Sequence, residues 1–330
     1  MAIEAFILFL ISFFLSYKLA PLAIKIGSKY KLFDKVEERK INKRSLLRIG
    51  GMIFLVNILL LNIFLILLGK FIDITLPDIE NFFLISIIIS ISSFTLGFID
   101  DIKSLSPIIR LVVQMAIAFF IWTSGVKIEN IDISFLSLKT KFIPLNDSFS
   151  LILTTLWITG LTNAINWIDG LDGLACSLIG FSSLSLGLFF LHINQAISGI
   201  MLVSISGICF GFLIVNKYPA KLIMGDGGTY LLGFNLAFLS LLGSGKNLIN
   251  NDYSFTVQNL NILLLIFSVP ILDMVYVILY RLYNSLSPFY PDKNHLHHRL
   301  INYGLSHQIT VTYIFILNFF ICSFSLFIFW

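Results

Sequence analysis

Charge is scarce in this chain: Asp, Glu, Lys and Arg together make up only 12% of its 330 residues. Soluble domains carry about 25%, so a water-facing surface suited to a globular protein of this length is excluded. Cysteine is nearly absent. Cys176, Cys209 and Cys322 all fall in apolar runs without CxxC spacing, which argues against a disulfide framework or a thiolate zinc site and leaves them as packing residues. Low-complexity tracts and a clear internal repeat are also missing, and with them the repeated halves of many transporters. The first apolar run starts with Glu4 in place of a basic segment, so it reads as a retained helix and not a cleaved signal peptide.

What is abundant is apolar surface. Hydrophobic residues make up 57% of the chain and 33 residues are Phe, with a mean hydropathy of +0.93. About 20 apolar residues cross a bilayer core as a helix. Such runs lie near 3–23, 50–69, 82–99, 107–124, 149–166, 174–192, 198–215, 228–243, 260–283 and 311–330. The predicted fold is an all-α polytopic membrane protein of one domain over 1–330, with about ten spans and eleven as the alternative.

Loop charge orients it with the N-terminus outside. Sixteen Lys and Arg then lie inside, from Lys25 to Arg48 in the first inner loop and its flanks, and near Lys103, Lys217, Arg281 and Lys293 further on. Five lie outside: Lys70, Lys127, Lys139, Lys141 and Lys246. The basic balance is thereby explained by anionic lipid or a phosphorylated substrate, with no need of nucleic acid.

Four polar clusters fall on that inner face. Asp100 and Asp101 end the third span, and adjacent carboxylates that both stay ionised call for a cation or a basic group nearby. "NAINWIDGLDGLA" sets Asn163, Asn166, Asp169 and Asp172 at three-residue steps. One cap at the start of the sixth span accounts for a single carboxylate of that row and not for the rest. "MGDGG" places Asp226 among glycines at the start of the eighth span, where free N–H groups suit phosphate. "HLHH" puts His295, His297 and His298 in a loop beside Asp292, Lys293 and Arg299, a spacing that suits phosphate better than zinc. A few carboxylates in a basic, Gly-rich surround match magnesium that shares its shell with water and substrate phosphates. The chemistry read from these clusters is phosphoryl transfer at the inner membrane face.

In order and spacing, "GFIDDIKSLSPIIRLVVQ", "NAINWIDGLDGLA", "NKYPAKLIMGDGGTYLLGF" and "PDKNHLHHRL" resemble the signature motifs of the polyprenyl-phosphate N-acetylhexosamine-1-phosphate transferases, from about Arg48 to Ser306. The resemblance implies a multi-pass enzyme of the bacterial inner (plasma) membrane, with its active site on the cytoplasmic face. It would move a sugar 1-phosphate from a UDP-sugar to undecaprenyl or another polyprenyl phosphate and release UMP, with magnesium, or manganese in its place, as cofactor. The "HLHH" form resembles the N-acetylglucosamine branch, whose lipid-linked sugar initiates envelope glycan synthesis. The phospho-N-acetylmuramoyl-pentapeptide branch is the alternative, a transporter or flippase a distant one, and a homodimer an open option.

By position, the resemblance implies a magnesium ligand at Asp226 and catalytic roles for Asp100 and Asp101 in metal or lipid-phosphate handling and activation of the nucleophile. It implies nucleotide-sugar contacts at Asn166, Asp169 and Asp172, a matching Asn at Asn216, and pyrophosphate contacts at His297 and His298, with His295 in the same motif. Lys43 and Arg48 of the first inner loop are further phosphate contacts. The chain departs from the pattern at Ser104, where many relatives carry a third acid, and at Asn42, where a His is usual. Pro270 is predicted to kink the ninth span and open a groove for the prenyl chain, and Asp273 three residues on is an intramembrane carboxylate with either a functional or a packing role.

Overall fold

The computed structural model describes residues 2–34, 46–71, 77–132, 142–244, 258–290 and 292–329. Each of the ten apolar runs is helical: α1 (Ala2–Lys29), α2 (Gly51–Phe71), α3 (Pro77–Lys103), α4 (Pro107–Thr123), α5 (Asp147–Ile168), α6 (Leu174–His192), α7 (Ala196–Asn216), α8 (Gly225–Ser244), the pair α9 (Gln258–Ile266) and α10 (Ser268–Tyr283), and α12 (His307–Phe329). Seven of these helices, or eight spans with the bent pair counted as one, are long and apolar enough to cross a membrane. At 17 residues, α4 is shorter than a typical span. The Gly- and Asp-bearing start of α8 lowers its apolarity, and that start is where the site lies.

Two differences from the apolar runs touch the polar clusters. The eighth helix starts at Gly225, which puts Asp226 inside its first turn. The "HLHH" segment, expected as a loop, instead forms a short helix, α11 (Leu296–Asn302), whose residues pack on α12. Short strands were not anticipated. β1 (Leu47–Arg48) pairs in parallel with β4 (Leu222–Ile223), and β2 (Asn130–Asp132) pairs antiparallel with β3 (Phe142–Pro144).

α8 is the centre of the bundle, in contact with α2, α3, α5 and α7. Its side chains are buried over nearly their whole length. α7 lies between α1 and α6 and meets α1 at a small-residue seam. A Cβ at Gly207 would lie 2.3 Å from the Phe9 carbonyl oxygen, and one at Gly211 would lie 2.2 Å from that of Phe13. Such close approach favours helix association in lipid, where no hydrophobic force separates helices from their solvent.

The ninth run is broken, with α9 and α10 meeting at 76° around Phe267. Pro270 is the cause: it has no N–H to offer the Ile266 carbonyl and its ring crowds that turn. Neighbouring helices satisfy the freed carbonyl. Ser182 Oγ of α6 donates to Ile266 O at 3.1 Å, the Cys322 thiol of α12 approaches it at 3.7 Å, and Asn318 Nδ2 donates to Ser182 Oγ at 3.3 Å. Ser182→Ala leaves only the weak thiol donor, and is expected to lower stability by about 1–2 kcal/mol. Thermal unfolding of the purified protein in detergent, compared with Ser183→Ala on the same helix, measures the difference.

Candidate active site

The β1–β4 pairing brings the first inner loop against the segment that precedes α8. Two further bonds extend it: Gly50 N–H donates to Ile223 O and Gly51 N–H to Met224 O, both at 2.9 Å. α2 and α8 therefore start side by side. Alternation along β1 buries Leu47 and turns Arg48 to the opposite side. There its guanidinium meets three acids from three segments: Asp101 at 2.6 Å, Asp226 at 2.9 Å and Asp34 at 3.2 Å. Burial opposes the charge on Arg48, but Asp226, Asp101 and Asp34 override it and hold the guanidinium above its ordinary range.

The two adjacent aspartates turn out to have separate partners. Asp101 Oδ1 accepts the Asp226 N–H at 2.8 Å and Oδ2 accepts the Gly227 N–H at 3.0 Å. It thus caps the N-terminus of α8 from the last turn of α3, where a negative charge is favoured. Asp100 is buried. Its Oδ1 accepts Leu105 N–H at 2.8 Å, and its Oδ2 accepts Arg110 Nη1 at 3.0 Å and the Tyr230 hydroxyl at 3.2 Å. Each carboxylate therefore has its own arginine. Nothing in the sequence paired Arg110 or Tyr230 with Asp100, because they come from α4 and α8.

The row of amides and acids also divides. Three helical residues turn a side chain by about 60° short of a full revolution, so Asn163 and Asn166 reach different helices. Asn163 exchanges amide hydrogen bonds with the buried Gln114 of α4, at 2.7 and 3.5 Å. Asn166 Nδ2 donates to Asp226 Oδ1 and to Thr229 Oγ1, both at 2.8 Å. Asp169 ends α5 as its C-cap. Asp172 is buried and accepts Ala220 N–H at 3.0 Å, while the buried Asn216 accepts Gly173 N–H at 3.1 Å and donates to Leu222 O at 3.0 Å. Asp172 and Asn216 thus tie the turn before α6 to the segment between α7 and α8, which itself contains a cis Tyr218–Pro219 bond.

α11 packs onto that same turn. A Cβ at Gly170 would lie 2.1 Å from His297 Nε2, so only glycine admits the imidazole there. His297 is buried, and burial followed by the neighbouring His298 lowers its pKa well below the usual value. At neutral pH it offers a hydrogen bond and no charge. Burial and His295 also lower the pKa of His298. The four clusters that the sequence spreads from Asp100 to His298 thus meet at one end of the bundle, around Arg48 and the start of α8. Lys43 lies outside the described residues.

The donor set can be weighed for a metal. Among the described residues, no three His, Cys, Asp or Glu side chains form a group able to enclose an ion. Yet Asp34, Asp101 and Asp226 surround one guanidinium, and Asp169 also interacts with Arg48 and Asp226. Such an excess of carboxylate oxygen fits a hard divalent cation that takes one or two protein ligands and completes its shell with water and phosphate.

Burial, and then Asp226, push the Asp169 carboxyl up to about 7 from an ordinary 3.8. The unfolded chain releases this proton near 3.8 and the folded chain near 7, so the stability it contributes is fully present below pH 3.8 and is lost as pH rises to 7. Asp169→Asn is therefore expected to raise the thermal midpoint of chelator-treated protein at pH 8 by a few degrees, and by less at pH 5. Scans at the two pH values measure this. An equal or absent gain would show that Asp169 is not held in its neutral form.

The chain is similar to known proteins. Residues 82–244 match glycosyl transferase family 4. The chain is 31% identical over 325 residues, 96% of its length and 83% of the other protein, to a probable undecaprenyl-phosphate N-acetylglucosaminyl 1-phosphate transferase of Bacillus subtilis. It is 30% identical over 290 residues (88% of this chain, 78% of the other) to the undecaprenyl-phosphate alpha-N-acetylglucosaminyl 1-phosphate transferase of Thermotoga maritima. A phospho-N-acetylmuramoyl-pentapeptide-transferase of Prochlorococcus marinus is 30% identical over 252 residues, 71% of this chain and 67% of the other. With such similarity over 96% of its length, the chain belongs to glycosyl transferase family 4, the polyprenyl-phosphate N-acetylhexosamine-1-phosphate transferases.

Proposed function

We propose that this protein transfers N-acetylglucosamine 1-phosphate from UDP-N-acetylglucosamine to undecaprenyl phosphate and releases UMP, at the cytoplasmic face of a bacterial plasma membrane. The observation that carries this reading is the junction of Arg48, Asp101, Asn166 and Asp226 at the start of α8, with His297 packed on the neighbouring Gly170 turn. The match to the Bacillus subtilis N-acetylglucosaminyl relative over 96% of the chain, against 71% for the muramoyl-pentapeptide enzyme of Prochlorococcus marinus, favours the former donor.

The reaction forms a bond between a lipid-phosphate oxygen and the β-phosphorus of the donor and breaks the pyrophosphate bond. A phosphomonoester has its second pKa near 6, so the attacking oxygen is already deprotonated at neutral pH and strong general-base help is unnecessary. The obstacle is repulsion between anions. The Arg48 guanidinium and hydrogen bonds from His297 and His298 reduce it. Magnesium, with manganese able to replace it, supplies charge neutralisation when bound, and Asp226 holds it with Asp101 and Asp169 nearby. Every oxygen of Asp100 and Asp101 already accepts a hydrogen bond, which supports direct attack over an aspartyl-phosphate intermediate. The exposed Leu272, Tyr276 and Leu279 of α10, turned aside by the 76° break, form the apolar surface that receives the prenyl chain.

The test is UMP release by purified protein with undecaprenyl phosphate, magnesium and each UDP-sugar in turn. Release with UDP-N-acetylglucosamine that stops on chelation is expected. Release with the muramoyl-pentapeptide donor alone would move the chain to the sibling reaction, and uptake into proteoliposomes without UMP would make it a transporter. A donor with chiral phosphorus checks the direct route, for which inversion is expected.

A further inference from the structure

Asp273 lies on α10, six residues after the break at Phe267, and is 6% exposed. Its carboxylate reaches out of α10 to the start of α11. Oδ2 meets His295 Nδ1 at 2.8 Å and Oδ1 accepts the Leu296 N–H at 2.6 Å. Leu296 is the first residue of α11, and its N–H is one of the donors that a helix start leaves unpartnered. The same carboxylate therefore sets both a ring and a helix terminus.

A second brace holds the segment from the other side. Arg281, 4% exposed, bonds Asp292 Oδ2 through Nε at 2.9 Å and donates from Nη1 to the Pro288 carbonyl. Its guanidinium also lies 5.0 Å from the centre of the Trp167 ring, which meets His295 at 5.7 Å and 81°, edge to face. Trp167 belongs to the "NAINWIDG" row, next to Asn166. His295 is thus fixed by a carboxylate at one nitrogen and by an aromatic wall on α5, and its ring lies 5.7 Å from that of His297.

We propose that Asp273 is a positioning residue for the reaction. A carboxylate oxygen accepts hydrogen bonds, so His295 donates from Nδ1, and this bond fixes its ring against Trp167 and 5.7 Å from the ring of His297. Through Leu296 the same carboxylate fixes the first turn of α11, which presents His297 and His298. This deepens the proposed transferase reading and rests on it. It gives the intramembrane acid a function and explains why a carboxylate is retained beside Pro270: the broken span supplies the orienting group for a motif more than 20 residues later in the chain.

The experiment compares full-length wild type, Asp273→Asn, His295→Gln and the double variant by UMP release. Asn at 273 keeps the size of the side chain but turns an N–H toward one of its two partners. A fall in kcat of about 100-fold is expected for Asp273→Asn, with KM for UDP-N-acetylglucosamine within threefold and a double variant whose loss is smaller than the product of the two single losses. A kcat within threefold of wild type, or losses that multiply in the double variant, would overturn the proposal. If wild type releases no UMP with any donor, the transferase reading fails on its own. The positioning claim is then decided by 15N spectra of histidine-labelled protein, with His295 assigned from the His295→Gln spectrum. Protonated Nδ1 in wild type, lost in Asp273→Asn, is expected; unprotonated Nδ1 in wild type would overturn it.

Discussion

Asp226→Asn is expected to lower UMP release about 1,000-fold while leaving the thermal midpoint of the chelator-treated protein within a few degrees of wild type. The two effects separate because of what surrounds this carboxylate. It shares the Arg48 guanidinium with Asp101 and Asp34 and accepts from Asn166 at 2.8 Å. Removal of one negative charge from such a crowd relieves repulsion as well as weakening an ion pair, so the net change in stability is small. In catalysis nothing offsets the loss. The proposed reaction would gather phosphate charge at the start of α8, and an amide is a far weaker ligand for a hard cation than a carboxylate. Manganese binding, followed by paramagnetic resonance, is expected to weaken in parallel with activity. A variant with wild-type turnover would remove Asp226 from the reaction.

Gly97→Ala is expected to damage both stability and turnover through a single methyl group. A Cβ at Gly97 would lie 2.2 Å from the Asp226 carbonyl oxygen and 2.6 Å from Gly227 Cα. These atoms are backbone and have no side-chain rotamer through which to escape. The first turn of α8 must therefore shift away from α3, which stretches the hydrogen bonds from Asp226 and Gly227 to Asp101, one helical turn beyond Gly97. Overpacking of this kind costs about 1–3 kcal/mol, and displacement of a catalytic turn by about 1 Å is worth roughly 100-fold in rate. Gly160→Ala on α5 is the control, because no atom within 4 Å meets its Cβ. It is expected to leave both properties near wild type, and a Gly97→Ala protein equally unaffected would show that α3 and α8 are not locked at this point.

Much of this architecture was legible in the chain itself. Long apolar runs in a sequence short of charge leave the backbone few options in lipid other than helices, and every such run is a helix here. The polar clusters were legible because unpaired charge at a membrane edge is expensive, so its recurrence at the ends of four runs marked a site. The break at Pro270 followed from the missing N–H, but the partners of the freed Ile266 carbonyl, Ser182 of α6 and Cys322 of α12, did not.

Pairing was beyond the sequence. The motif that looks uniform from Asn163 to Asp172 serves three neighbouring segments and ends its own helix, because steps of three residues rotate successive side chains around α5 and then leave the helix. Asp100 and Asp101 look alike in sequence, yet one is bound to Arg110 and Tyr230 and the other caps α8. Arg48 finds Asp226 only because two-residue strands that no periodicity reveals lie side by side. The sequence by itself determined a helical membrane protein with its chemistry at the ends of its helices, since the solvation of backbone and charge is a local matter. Only the tertiary structure decided which carboxylate meets which arginine, histidine or helix start, because hydrogen bonds of about 3 Å depend on contacts between separate segments, such as Asp101 and the start of α8, 125 residues later.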